Sequence, residues 1–341
     1  MARADRVTPV RGSALALALA FGVGGSPLAA QPAEDVTMAV PAVGFPFTAG
    51  YIADGLSLWE KHGLRVKTIL IAGIGSTNAV ISGSADFAQV SGLSLTRAAS
   101  KGQRLLAIAN TLERPITEIS IRKDVADAAK FDRAAPLDKR AQVLKGHSFA
   151  IGGVNTVVHA YLRIVALAGG LDPESIRIAP MAGDNMLAAM QARQIDGIST
   201  VLPWTRKGVV EGSAVLVASG AEGDPPHLTP LAFNVIAVKP ETCEKRKSIC
   251  QKMGHAIAEA MRYLRADPAG TLAILKKTFA SFDDAVLAAA IEVVRKATPA
   301  SPATTNAALE NAENFNVEAR LMKADEKLKS YDGLSTDQYI H

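Results

Sequence analysis

Apolar positions along this chain recur in two alternating rhythms. Short runs rich in Val, Ile and Ala alternate with longer stretches whose apolar positions return every three or four residues. The first rhythm suits strands buried on both faces, and the second suits amphipathic helices. Residues 36–40, 64–70, 86–90, 105–111 and 118–122 read as strands, and 50–62 and 76–82 as helices stopped by Gly63 and Gly83. A charged, alanine-rich stretch follows at 123–145, broken by Pro136 and lacking a steady apolar period; it reads as a partly helical, solvated connection. The alternation then restarts, with strands at 148–151, 176–179, 197–201, 214–218 and 233–238 and helices at 157–168 and 186–192. From residue 250 onward helical spacing dominates.

Strands alternating with helices predict α/β layers, whose ligands gather at the carboxyl ends of the strands. The halves repeat a theme. Residues 79–86 and 189–196 share a layout of short helix, turn and an Asp (Asp86, Asp196) opening a strand. Two related lobes fit this spacing better than a solenoid. A length of 341 residues also exceeds one ordinary core and suits two domains of roughly 150 residues.

Composition narrows the class. With 48% hydrophobic and 21% charged residues the chain is not disordered, and 5% aromatics argue against a stacking platform for nucleic acid. The net charge of +4 is biased by Arg3, Arg6 and Arg11 near the start, which leaves a nearly neutral body. These arginines precede an apolar run at 14–21 and then Gly24, Gly25, Ser26, Pro27 and Ala30, the order of a secretory signal peptide. Cleavage is expected after Ala30, with no lipidation cysteine at that point, giving an exported, periplasmic protein. Export would put Cys243 and Cys250 where disulfides persist. Seven residues along one helix would hold them about 10 Å apart, too far to bridge. A loop at 240–242 with a helix starting just after would let them meet. A disulfide is the first reading and two free thiols the second.

Several short pieces carry a family resemblance. They are Tyr51-Ile52-Ala53, Trp59-Glu60-Lys61-His62-Gly63-Leu64, Ser82-Gly83-Ser84-Ala85-Asp86-Phe87-Ala88, Leu144-Lys145-Gly146, Ala168-Gly169-Gly170-Leu171-Asp172-Pro173-Glu174 and Gln194-Ile195-Asp196-Gly197. In this order, over about residues 36–240, they resemble the periplasmic solute-binding proteins of ABC importers, in the branch that binds nitrate, taurine, alkanesulfonates and thiamine pyrimidines. Arg193 departs from the family's usual glycine, and Leu202 replaces a common Glu before Pro203. Both changes alter the rim of the second lobe.

The resemblance implies a two-lobe, type II periplasmic-binding-protein-like fold, α/β, with each lobe a mixed, mostly parallel sheet flanked by helices. The expected division is a signal peptide at 1–30, a first lobe at 31–122, a connection at 123–145, a second lobe at 146–232, and a return to the first lobe with C-terminal helices at 233–341. It further implies a monomer that captures a small organic solute (an organic acid, sulfonate or N-heterocycle) and passes it to an inner-membrane ABC permease, with no cofactor, metal or nucleic acid. An enzyme on the same fold, such as a pyrimidine-precursor synthase, and a periplasmic sensory module are the alternatives. No Gly-x-Ser-x-Gly motif favours catalysis.

Candidate ligand contacts lie just beyond strand ends. Gly75, Ser76 and Thr77 open a helix whose free N–H groups could face an acceptor, and Asn155 and Thr156 occupy the equivalent junction of the second half. Phe45 and Phe47 follow the first strand, and Ser91 follows the third. Trp204 could stack on a planar ligand, and Asn185 precedes a helix. Trp59, flanked by Leu56 and Leu58, reads as core.

Overall fold

The computed structural model describes residues 32–341, together with the isolated positions 1 and 8. The expected leader and its cleavage point therefore lie outside the described residues. The strands are β1 (Glu34–Val40), β2 (Leu64–Leu70), β3 (Phe87–Val90), β4 (Leu106–Leu112), β5 (Thr117–Arg122), β6 (Ser148–Ile151), β7 (Arg177–Pro180), β8 (Gly197–Val201), β9 (Ala214–Ser219) and β10 (Asn234–Val238). Among the first strands run α1 (Thr48–Gly55), α2 (Leu58–Lys61), α3 (Gly75–Ser82) and α4 (Gly92–Ser100). The middle carries α5 (Lys123–Ala128), α6 (Leu137–Arg140), α7 (Val157–Ala168), α8 (Gly183–Gln191) and α9 (Trp204–Val210). The end carries α10 (Pro240–Lys245), α11 (Lys247–Ala266), α12 (Pro268–Thr278), α13 (Asp284–Ala297) and α14 (Asn306–Glu318).

These elements build two five-stranded sheets, in the orders β2-β1-β3-β10-β4 and β7-β6-β8-β5-β9. In the first, β1 runs parallel to β2 and β3 while β10 lies antiparallel between β3 and β4. In the second, β6 runs parallel to β7 and β8 while β5 lies antiparallel between β8 and β9. The sheets thus share one topology, and each receives its antiparallel strand from chain that has just crossed over. The central strands β3, β8 and β10 are buried throughout, because helices cover both faces. The crossings run side by side: the N–H groups of Leu231 and Phe233 donate to the carbonyls of Glu113 and Leu112 at 2.9 and 3.0 Å.

The repeated Asp has one job in both lobes. Asp86 accepts from the N–H of Thr37 on β1 at 2.8 Å, and Asp196 accepts from the N–H of Ser148 on β6 at 2.8 Å. Each carboxylate also meets an arginine, Arg246 after α10 at 2.9 Å for Asp86 and Arg122 at the end of β5 at 3.3 Å for Asp196. Ser148's backbone and hydroxyl, with His147, hold the Asp196 carboxyl below its usual range despite the opposing effect of burial.

Four expectations need correction. The strand expected at 118–122 in the first lobe belongs to the second sheet, because β10 takes the place beside β4. The chain therefore changes lobe at 113–116. Residues 123–145 are not a connection between domains, since β5 and β6 on either side share one sheet. Instead Arg140 is buried against Asp224, and Ala141, Val143 and Leu144 enter the core. The helix expected at 50–62 is two helices, broken at Ser57 in a left-handed conformation with φ 52°. Helical spacing also ends at Glu318. The last residues cover the open edge of β4, where Ala107 bonds Leu334 and Thr336 at 2.8 and 3.0 Å.

Cys243 on α10 and Cys250 on α11 form a disulfide with Cα atoms 5.6 Å apart. The non-helical Arg246 separates the two helices and turns the chain back, which a single continuous helix would not allow.

Candidate functional site

A cavity of about 690 Å³ lies between the two sheets and is walled by residues of both lobes. Many of these follow the carboxyl ends of parallel strands, as α/β topology requires. From the first lobe come Phe47, Ser76, Thr77, Ser91, Ser94 and Asn234. The second lobe supplies Thr156, Val158, Met181, Asp184, Thr200 and Trp204. A third contribution is the turn between α12 and α13, with Thr278, Phe279, Ser281 and Phe282.

The expected residues divide. Phe47, Ser76, Thr77, Ser91, Thr156 and Trp204 line the cavity. Phe45 does not; it is fully buried, with its ring edge-on to Phe279 at 5.0 Å. Gly75 lies behind the wall, where a Cβ would come within 2.7 Å of Ile71, so its smallness serves packing. Asn155 lies outside the lining, in a left-handed conformation with φ 57°. Its carbonyl accepts from Arg97 of the first lobe at 2.6 Å and its N–H donates to His159 Nδ1 at 3.0 Å. Asn185 is exposed. Because α8 begins at Gly183 rather than at 186, the neighbouring Asp184 faces the cavity instead.

Trp204 is held from three sides. Its indole N–H donates to Asp184 Oδ1 at 3.1 Å. One face lies so close to Gly183 that a Cβ there would fall 2.1 Å from the indole Cε2. Its edges meet Phe279 and Phe282 across the lobes, at centroid distances of 5.9 and 6.0 Å. The next residues on α9 anchor the helix. Thr205 and Arg206 both donate to Glu118, a fully buried carboxylate on β5 that also accepts from Ser219. Burial pushes the Glu118 carboxyl up. Burial alone would lower Arg206, but the adjacent Glu118 outweighs it and holds the guanidinium above its ordinary value.

The lobes touch elsewhere too. The N–H of Phe45 donates to the Leu202 carbonyl at 3.1 Å, and a Cβ on Gly44 would meet Val201 at 2.9 Å. Charge is nearly absent from the wall: among the described residues Asp184 is its one charged side chain, and no Lys, Arg or His lines it. The Thr77 and Thr200 side chains are buried and, among the described residues, neither hydroxyl has a hydrogen-bond partner other than what the cavity admits. Phe279, Phe282 and Asp184 escaped the sequence reading. The first two arrive from chain that returns late, and at the third position the expectation fell on the neighbouring Asn185.

Two sheets of one topology, crossed twice by the chain and enclosing a cavity, define the two-lobe periplasmic-binding-protein fold. Residues 31–277 match the NMT1-like family, and the chain belongs to it. No curated protein sequence matches the chain. Among solved structures, a protein from Bordetella bronchiseptica RB50 is 18% identical and superposes with a TM-score of 0.74, over 90% of this chain and 95% of that one. The alkanesulfonate-binding protein SsuA from Xanthomonas axonopodis pv. citri, bound to MOPS, is 19% identical with a TM-score of 0.69, over 88% and 97%. A ligand-binding component of an ABC-type import system from Staphylococcus aureus is 14% identical with a TM-score of 0.67, over 90% and 98%. Both the family match and the sulfonate-binding neighbour agree with the resemblance seen in the sequence.

Proposed function

We propose that this chain is the solute-binding component of an ABC importer, exported to the periplasm, where it captures a small organic molecule and presents it to an inner-membrane permease. The observation that carries this reading is the 690 Å³ cavity walled from both lobes. It falls within the ~300–1,000 Å³ of ordinary small-molecule sites. The importer neighbour and the alkanesulfonate-binding neighbour support it. Among the described residues no helix is long and apolar enough to cross a membrane.

In this reading the lobes are residues 33–113 with 231–341, and residues 116–230, and the paired crossings are the hinge. Binding works by closure: the solute contacts both walls only when the lobes meet, so its differential affinity favours the closed form. The chain acts as a monomer without a cofactor, metal or nucleic acid.

A thermal-shift screen of organic solutes, followed by small-angle scattering with and without each hit, tests the proposal. A solute at a hundred times its Kd should add about 2.7 kcal/mol of stability. It should also reduce the radius of gyration and be recovered unchanged. Chemical turnover of the solute, or a screen without any stabilising compound, would overturn the proposal.

A further inference from the structure

We infer that the solute is an uncharged organic molecule with a hydrogen-bond-accepting head and an aromatic or branched apolar body, its head against the first lobe and its body against the second. The inference rests on the reading of the cavity as a solute site and names the class that site takes.

The two walls differ in chemistry. On the first lobe α3 opens toward the cavity with Ser76 and Thr77, whose first-turn N–H groups have no intrahelical acceptor. The Thr77 side chain is 5% exposed, and its hydroxyl, without a hydrogen-bond partner among the described residues, stays accessible from the cavity. Beside it, the hydroxyls of Ser91 and Ser94 bond each other at 3.1 Å. One donates and the other accepts, so one O–H proton remains to offer outward. Three kinds of donor therefore converge on one wall: N–H groups, the Thr77 hydroxyl and the serine pair.

The facing wall is mostly apolar, with Val157, Val158, Met181, Met186, Val201 and Trp204, and its polar exceptions besides Thr156 are Asp184 and the Thr200 hydroxyl. The hydroxyl of Thr156 on that side is already committed to the Gly153 carbonyl at 2.7 Å. Phe279 and Phe282 close the end beside Trp204. A cavity of about 690 Å³ with such walls would leave a small inorganic anion with most of its surroundings empty or apolar.

Charge decides the head group. Among the described residues no cationic side chain lines the cavity, so an enclosed anion would lack a counter-ion. The one charge, Asp184, lies in the first turn of α8. Its carboxylate already takes the favourable field of that helix end and would repel a second anion there. A ligand cation gains little either, since Asp184 is exposed and one of its oxygens is held by Trp204.

Isothermal titration of the full mature chain with a matched set tests this. Phenyl, naphthyl and isobutyl bodies are each prepared as the amide, the carboxylate, the sulfonate and the ammonium, with sodium nitrate alongside. The inference expects binding in the amide column, at least tenfold tighter than any charged partner on the same body. Thr77→Val should weaken the best amide about tenfold, and Asp184→Asn should improve the matching carboxylate several-fold. A carboxylate, sulfonate or ammonium that binds as tightly as its amide overturns the inference, and so does an amide column without binding. Either result leaves the solute-binding reading standing if any other compound stabilises and compacts the protein. That reading fails separately, by its own screen.

Discussion

Arg97 on α4 of the first lobe donates to the carbonyl of Asn155 in the second at 2.6 Å, and the N–H of Asn155 donates to His159 Nδ1 at 3.0 Å. One backbone unit thus ties the mouth of the cleft to a ring inside the second lobe. Asn155 can serve both because its left-handed conformation turns its carbonyl outward while its N–H faces α7. The link exists only while the lobes are together. In the proposed closure mechanism it would favour the closed form without touching the solute.

Replacing Arg97 by Ala should weaken solute binding by about 1–1.5 kcal/mol, roughly 5- to 12-fold, because a charge-assisted bond of the closed form is lost. Ligand-free melting should barely change. Calorimetry and melts of the variant check this, and unchanged affinity would show that the bond contributes nothing to closure.

His159 should make stability fall in mild acid. Its Nδ1 accepts a hydrogen bond, so the ring is neutral with the proton on Nε2. Burial, helped by Arg163 and opposed by Glu174, holds its pKa below the ordinary 6.5. A depressed histidine binds its proton more readily when unfolded. Its contribution is complete above the unfolded value and drains away as pH falls from there toward the lower folded value. Melting profiles of the wild type and His159→Gln from about pH 8 to pH 5 should converge toward acid pH; parallel profiles would refute the assignment.

Trp204→Ala should cost about 1–3 kcal/mol of solute affinity, a 5- to 150-fold loss, by removing an aromatic wall. It should also lower ligand-free stability to the extent that the ring stays against Phe279 and Phe282 without solute. Gly183→Ala should reproduce the affinity loss while leaving the indole in place chemically, because the added methyl needs space the indole occupies. Wild-type affinity in Gly183→Ala would show that the position of the indole is unimportant.

Reduction of the Cys243–Cys250 disulfide should lower stability by about 2–3 kcal/mol, from the short loop it closes. Melts with and without dithiothreitol, beside mass spectra of unreduced peptides, test this. Ready alkylation of both thiols in the unreduced native protein would contradict the bridge.

Much of this architecture was legible because its signals are local. The alternation of strand and helix, the glycine stops at Gly63 and Gly83, and the repeated Asp86 and Asp196 all record short-range requirements. Ser76, Thr77, Ser91, Thr156 and Trp204 could be placed near a cleft because each follows a strand. Sheet membership was not legible in the same way. Nothing in residues 117–122 marks them for the second sheet, since antiparallel pairing with β8 and β9 is settled by partners far along the chain. Asp184 was obscured by a helix that starts three residues early, which rotates Asn185 away from the cavity. Phe279 and Phe282 belong to a late helical region and reach the cavity only through the return of the chain to the first lobe. Arg97 gave no sign of its role, because its partner is a carbonyl, and carbonyls carry no residue code.

The placement of β10 between β3 and β4 has a consequence for biogenesis. The second sheet draws all its strands from residues 117–219, so its pairing can finish while the chain is still emerging. The first sheet cannot: β3 and β4 are not neighbours, and the strand that joins them comes more than a hundred residues later. Until it arrives, two strands made early wait with unpaired edges, a state that long-range pairing prolongs and aggregation exploits. Order of synthesis and order of assembly are therefore reversed. The lobe made first is completed last, and a chain shortened ahead of residue 234 would hold one finished half and one open template for its neighbours.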